Sequence, residues 1–181
     1  MSDTQIAVLG GAAALVFWML GAYNRVMALR NAIGGAWHLV DEVLAKRGDA
    51  VLQLVAALRT PLAGEQVSLD ALIAAQTQVR SAADALRARP VQVALAQALV
   101  AAESAMASAS SRVLALLDQH DALRVDAAVA PFAGVLRDSG ARLAFARQLF
   151  NEAAQTYDDA VHQFPTRLLI SLYGFGPAGR I

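Results

Sequence analysis

Beyond residue 24 the apolar side chains form a stripe: Val26, Ile33, Trp37, Val40, Leu44, Val51, Leu54 and Leu58 follow in steps of three, four or seven residues, with Arg30 and Arg47 standing in the gaps. A helix buries one face at that period, and such a seam belongs in a helical bundle or coiled coil. Before residue 24 there is no stripe. The run IAVLGGAAALVFWMLGAY, Ile6 to Tyr23, is apolar on every face, and no charged residue lies between Gln5 and Asn24. As a helix it reaches about 27 Å at ~1.5 Å per residue, close to a hydrocarbon core of roughly 30 Å. The pattern predicts one continuous element that starts in lipid and emerges as an amphipathic rod.

The rod closes at Pro61 and Gly64. Ser68 is placed as the N-cap of a second helix running to about Arg89, with Leu69, Leu72, Ile73, Val79 and Leu86 on its apolar face. Pro90 separates it from a third helix, about Val91 to Leu117, whose small residues SAMASASS favour close packing; His120 and Asp121 lie at its end. A last helix, about Pro131 to Phe164, carries Leu136, Leu143, Ala146, Phe150, Ala153, Tyr157, Ala160 and Phe164. Phe150, Tyr157 and Phe164 repeat every seven residues, which stacks aromatic layers on one face. With Trp37 they form the expected aromatic core. After Pro165 the tail TRLLISLYGFGPAGRI allows one short helix to Leu172 before its glycines stop it. No period-two run of β-branched residues competes. The fold class is all-α: an N-terminal transmembrane helix continuing into an antiparallel bundle of four long helices.

The apolar run reads as a retained anchor rather than a cleaved signal. MSDTQ supplies no positive n-region, and the small-x-small pattern around Leu20, Gly21 and Ala22 is poor. Trp18 and Tyr23 sit where aromatic rings favour the headgroup layer, and Arg25 and Arg30 follow at once. Basic residues near the end of a span stay cytoplasmic, so residues 1–5 are expected outside, 6–23 in the bilayer and 24–181 inside. Gly10, Gly11 and Ala14 have a small-xxx-small spacing through which two anchors could form a homo-oligomer.

Charge changes this picture little. Fifteen basic residues balance 15 acidic ones, so there is no bulk pull toward nucleic acid. Much of the 57% hydrophobic content is alanine, a strong helix former. Lys46 is the sole lysine, an arginine bias that fits a GC-rich genome. Cysteine is absent, which removes disulfides, thiolate nucleophiles and cysteine-based zinc sites.

Catalytic patterns are also missing. His38, His120 and His162 have no second histidine at helix-ligand spacing, and adjacent carboxylates such as Asp41-Glu42 and Asp158-Asp159 diverge around a helix. The serines between Ser104 and Ser111 lack a strand-turn-helix setting, and Gly174-x-Gly176 lacks the strand and helix of a phosphate loop. No cofactor or metal is expected. What stands out is polar content along the first helix, namely Asn24, Arg30, Asn31, Asp41 and Arg47. Asn151, Asp158 and Asp159 on the last helix complete the candidate set. A half-buried arginine must find a partner, and Asp158 or Asp159 is the expected answer to Arg30 or Arg47. Such a network either fixes the register between first and last helices or forms a polar groove that grips a partner helix or peptide.

These residues resemble the LemA family of bacterial proteins. The first block runs through Tyr23-Asn24, Arg30-Asn31, Ala36-Trp37, Val40-Asp41, Leu44, Lys46-Arg47-x-Asp49 and Leu54-Val55; the second through Ala146-Arg147, Phe150-Asn151, Tyr157-Asp158, Phe164-Pro165 and Gly174-Phe175. The resemblance implies a short external tail, one span in the cell membrane and a long-helix bundle, and implies no established activity. AVLQLV replaces the family's usual Pro-Asn-containing stretch, Phe150 and Asp158 stand where Tyr and Asn are usual, and the end after Phe175 is short.

The expected function is a membrane-tethered, non-catalytic helical scaffold that binds a protein partner at the cytoplasmic face. Two rivals remain open at this point. One is an enzyme whose site assembles only in three dimensions; the other is a lipid-binding, membrane-organising protein with Arg25, Arg30, Arg167 and Arg180 in one basic rim.

Overall fold

The computed structural model describes residues 3–163 and 176–181. Among these, helix α1 runs unbroken from Asp3 to Leu58, 56 residues in all. A 3-10 turn, Ala63–Glu65, leads to α2 (Gln66–Ala88), followed by α3 (Val93–Asp118), the single turn α4 (Asp121–Arg124) and α5 (Ala130–His162). The four long helices form an antiparallel bundle. Trp37 of α1 meets Phe150 of α5, while Arg59 and Asp41 of α1 pair with Asp70 and Arg87 of α2. Rising numbers on α1 thus meet falling numbers on α2.

One helix lives in two environments. From Val26 onward its stripe is interior: Val26, Ile33, Val40, Val51, Leu54 and Leu58 are fully buried. Over residues 8–20 the same helix is bare, with Phe17 at 74% and Val8 at 66% exposure. A long apolar segment this exposed is what a surrounding of lipid requires, and this stretch is a candidate membrane span. Helix α3 has the length and apolarity of a span as well, but its Ala96, Leu99, Met106, Val113 and Leu117 are buried within the bundle.

The helix boundaries differ from the sequence expectation in ways the turns explain. Helix α2 begins at Gln66, and Ser68 is not its N-cap but a buried residue of its first turn, its hydroxyl 3.5 Å from Glu65. Gln66 Nε2 donates to the carbonyls of Arg59 at 2.9 Å and Leu62 at 3.3 Å, which ties the first residue of α2 to the turn after α1. Helix α3 starts at Val93, leaving Val91 outside it. His120 belongs to the link before α4, a separate turn the sequence pattern did not predict. Helix α5 starts with Pro131 in its first turn, where a missing N–H costs nothing. Phe164, Pro165 and the short tail helix lie outside the described residues.

Candidate functional site

Arg47 sits on the buried stripe of α1, seven residues after Val40 and seven before Leu54, so the helix carries its guanidinium into the bundle. It is 5% exposed. The partner is Glu103 on α3: Arg47 Nη1 donates to Oε2 at 2.9 Å and Nη2 to Oε1 in a second, shorter bond. Two parallel bonds match the planar fork of arginine to the carboxylate and offset the desolvation of both charges. The expected pairing with Asp158 or Asp159 is therefore corrected. Residues on a diagonal of the bundle meet here, which pairwise α1–α5 reasoning does not reach. A signal was available, since Glu103 is the sole acid between Asp84 and Asp118 and neighbours the buried Ala102.

Asn151 and Asp158 instead hold the end of the chain. Asn151 Nδ2 donates to the Ile181 carbonyl at 2.7 Å, and its Oδ1 accepts the Ile181 N–H at 2.9 Å. Asp158 Oδ1 accepts the Ala178 N–H at 2.7 Å, and Arg180 reaches Asp158 Oδ2 at 3.5 Å and Gln155. Gly179 donates to the Val91 carbonyl at 3.1 Å. A Cβ on Gly179 would lie 2.7 Å from the Ala96 Cβ and 2.9 Å from the Val93 Cα, so only glycine permits this approach. Residues 176–181 are thus a strap across α3 and α5, with Ala178 and Ile181 buried.

The other polar candidates scatter. Asp41 pairs with Arg87 of α2, and that hydrogen bond pushes the Arg87 pKa up. Asp159 is exposed and accepts from Gln155 Nε2 at 2.7 Å. Asn24, Arg30 and Asn31 are exposed on α1. Among the aromatic set, Trp37 and Phe150 pack edge to face at 6.0 Å and 74°, and Tyr157 is 1% exposed. Burial raises the Tyr157 phenol pKa above its usual value; the charge of Arg30 opposes this and that of Asp158 adds to it. The Trp37 indole N–H is buried without a partner.

Close approach also shapes the α1–α2 contact. A Cβ on Gly48 would fall 2.5 Å from Gln76 Nε2, so glycine here admits the α2 side chain.

On the opposite side from the strap, α1 and α5 leave a groove of about 810 Å³. Its floor and walls include Leu39, Val43, Ala50, Phe132, Val135 and Phe145. Phe145 is 63% exposed, an unusual setting for a large aromatic on a bundle helix. Glu42, Lys46, Asp49, Asp138 and Arg142 rim it. Lys46 and Glu42 pair at 2.7 Å, and Lys46 holds the Glu42 carboxyl below its usual range by that hydrogen bond and its charge. Among the described residues Asp49, Asp138 and Arg142 form no ion pair. The sequence reading missed this groove, although Phe145 off the aromatic stripe was its signal.

No three His, Asp or Glu side chains converge as metal ligands among the described residues. His120 and His162 each bond the carbonyl four residues back, Leu116 at 2.8 Å and Asp158 at 2.7 Å, and His38 is exposed on α1. Arg180 is answered by Asp158 rather than standing in a basic rim, and Arg167 lies outside the described residues.

The sequence model of the LemA family matches residues 36–180. The chain belongs to the LemA family. No curated protein matches the chain. The LemA match starts beside Trp37 and takes in Arg47, Glu103, Asn151, Asp158 and the strap through Arg180. It therefore coincides with the bundle, and the bare apolar part of α1 precedes it. Within LemA proteins the resemblance gives Asn as usual at position 158; the acid found here adds a charge that Arg180 meets.

Proposed function

We propose that this LemA protein is a membrane-tethered, non-catalytic scaffold that binds a protein partner at the cytoplasmic face of the bacterial inner membrane. The observation that carries this reading is the α1–α5 groove, where Phe145, Val135 and Leu39 lie exposed beside Asp49, Asp138 and Arg142, which form no ion pair among the described residues. Exposed apolar surface rimmed by polar groups is the signature of a protein contact. The unbroken α1 supports the tethering, because a continuous helix holds the groove at a set height above the lipid. Arg25 and Arg30, directly after the candidate span, support the cytoplasmic orientation.

A photo-activatable phenylalanine analogue at position 145 tests it. Irradiation of membranes carrying the full chain is expected to give a discrete adduct from position 145 and none from Gln97, an exposed site on α3. Equal, diffuse labelling from both sites would remove the groove as a binding face.

A further inference from the structure

The strap lies against α5 in a register that any extended main chain would share. Asn151 and Asp158 stand on α5 about two turns apart, roughly 10.5 Å at ~1.5 Å per residue. Three residues of extended chain rise about 10 Å. Asp158 Oδ1 therefore meets the Ala178 N–H at 2.7 Å while the Asn151 amide meets both backbone groups of Ile181, at 2.7 and 2.9 Å. On the α3 side the Val91 carbonyl accepts the Gly179 N–H at 3.1 Å. All of these bonds read backbone rather than side chains. Sequence enters at two positions: Gly179, where Ala96 and Val93 leave no room for a Cβ, and Ile181, whose buried side chain borders Val40, Leu44, Leu99 and Leu143. An open cleft of about 630 Å³ adjoins Ile181 and carries the site on along α5 to Ala144, Arg147 and Gln148. Arg147 is half-buried there and forms no ion pair among the described residues, a setting that favours an anion.

We propose that the strap site binds an extended peptide segment of a partner protein, of the pattern small-Gly-x-aliphatic with an acid soon after it, and that residues 178–181 occupy this site in cis. The proposal goes beyond the α1–α5 groove and does not rest on it. In this mode of recognition main-chain bonds supply affinity, and pockets for particular side chains supply specificity. Asn151 and Asp158 keep their places without the strap, because they stand on a helix anchored by the buried Phe150, Ala154 and Tyr157. The acid is set by Arg147, which lies one turn or about 6 Å beyond Asn151, the reach of about two extended residues past Ile181. Only backbone bonds, the Arg180 contacts and the burial of Ala178 and Ile181 hold the strap, so it opens without unfolding any helix. A peptide in trans competes with it, and its apparent affinity falls with the fraction of chains that stand open. Loosening the strap therefore strengthens peptide binding.

The test uses the full chain in detergent micelles and a fluorescent, amidated peptide, GPAGRIDD, followed by anisotropy. Two variants open the strap by different means: Gly179→Ala through the clash with Val93 and Ala96, and Ile181→Asp through a charge in the apolar slot. Faster exchange of the Ala178 amide, with α2 amides still protected, reports the opening. Both variants are expected to bind GPAGRIDD at least several-fold tighter than wild type and to ignore GPAARIDD, whose alanine cannot enter. Adding Asn151→Ala to Gly179→Ala should weaken binding several-fold. GPAGRIAA should bind several-fold more weakly than GPAGRIDD, a difference that Arg147→Ala abolishes. Equal binding of GPAGRIDD and GPAARIDD, or indifference to Asn151, means adhesion without a site and overturns the proposal. No binding to an opened chain overturns it too, as does unchanged exchange in both variants, which would make the strap a permanent part of the fold. Equal affinity for GPAGRIDD and GPAGRIAA overturns the acidic position. Displacement of the peptide by unlabelled wild-type chain would make the strap of a second copy the occupant and overturn the partner protein.

Discussion

Arg47 of α1 and Glu103 of α3 meet through two parallel N–H···O bonds across a diagonal of the bundle, with side chains only 6% and 10% exposed. No other ion pair among the described residues is as sheltered. The two helices are not consecutive in the chain, so the pair ties the first and third helices where hairpin connections do not. Its Nε remains buried without a partner, which leaves the fork bonds to offset the desolvation of the guanidinium.

Removing one charge should therefore hurt more than removing both. Glu103→Leu strands Arg47 and is expected to cost about 3–5 kcal/mol. Arg47→Met together with Glu103→Leu should recover much of that loss. Denaturant unfolding of the full chain in detergent micelles gives the double-mutant cycle. Additive single and double changes would show that the pair is not coupled.

The strap makes a second prediction. Asn151→Ala removes both bonds to the Ile181 backbone, each worth roughly 1 kcal/mol. The Ile181 and Ala178 amides should then exchange with solvent at least several-fold faster, while amides of α2 keep their protection. Gly179→Ala should do the same by steric means, since the new methyl would press on the Val93 backbone, which cannot rotate away. Unchanged exchange in both variants would mean the strap does not depend on these contacts.

The helices were legible where periodicity speaks alone. The stripe from Val26 to Leu58 reads as one buried face because the backbone imposes its period on any sequence. Phe150 and Tyr157 read as core for the same reason. Glu103 did not read as the partner of Arg47, because which helices lie across a diagonal is set by packing order, not by any local pattern. The strap was equally hidden. GPAGRI has the glycines of a loose tail, and only the facing Asn151, Asp158 and Ala96 turn those glycines into a fit. The groove escaped because exposure is a property of what fails to cover a helix.

Tyr157 gives the bundle an alkaline limit. Its folded pKa is raised by burial above the usual value of about 10, so the unfolded chain loses this proton first. The stabilising contribution is fully present below about pH 10 and is lost as pH rises from there through the folded pKa. Wild type should thus lose stability more steeply than Tyr157→Phe as pH rises above about 10. Tyr157→Ala, which empties the site, should cost about 3 kcal/mol at neutral pH. Parallel slopes for wild type and Tyr157→Phe would show that the phenol ionises as freely in the fold as outside it.

Orientation can be read with the same cysteine-free background. The positive-inside rule turns on Arg25 and Arg30, two cations just past the candidate span, against an N-terminal segment whose one charged side chain is Asp3. The proposed orientation accordingly has the bundle in the cytoplasm and the first residues outside. Val125 suits a probe, because it is 75% exposed in the link between α4 and α5 and touches neither the strap nor the groove. In spheroplasts of intact cells, a membrane-impermeant maleimide should label a cysteine at Ser2 and leave Val125→Cys unmodified. Opening the inner membrane should then expose Val125→Cys to full labelling. The opposite order would place the bundle outside and remove the cytoplasmic face from the proposed function, while leaving the groove as geometry to be explained on the other side.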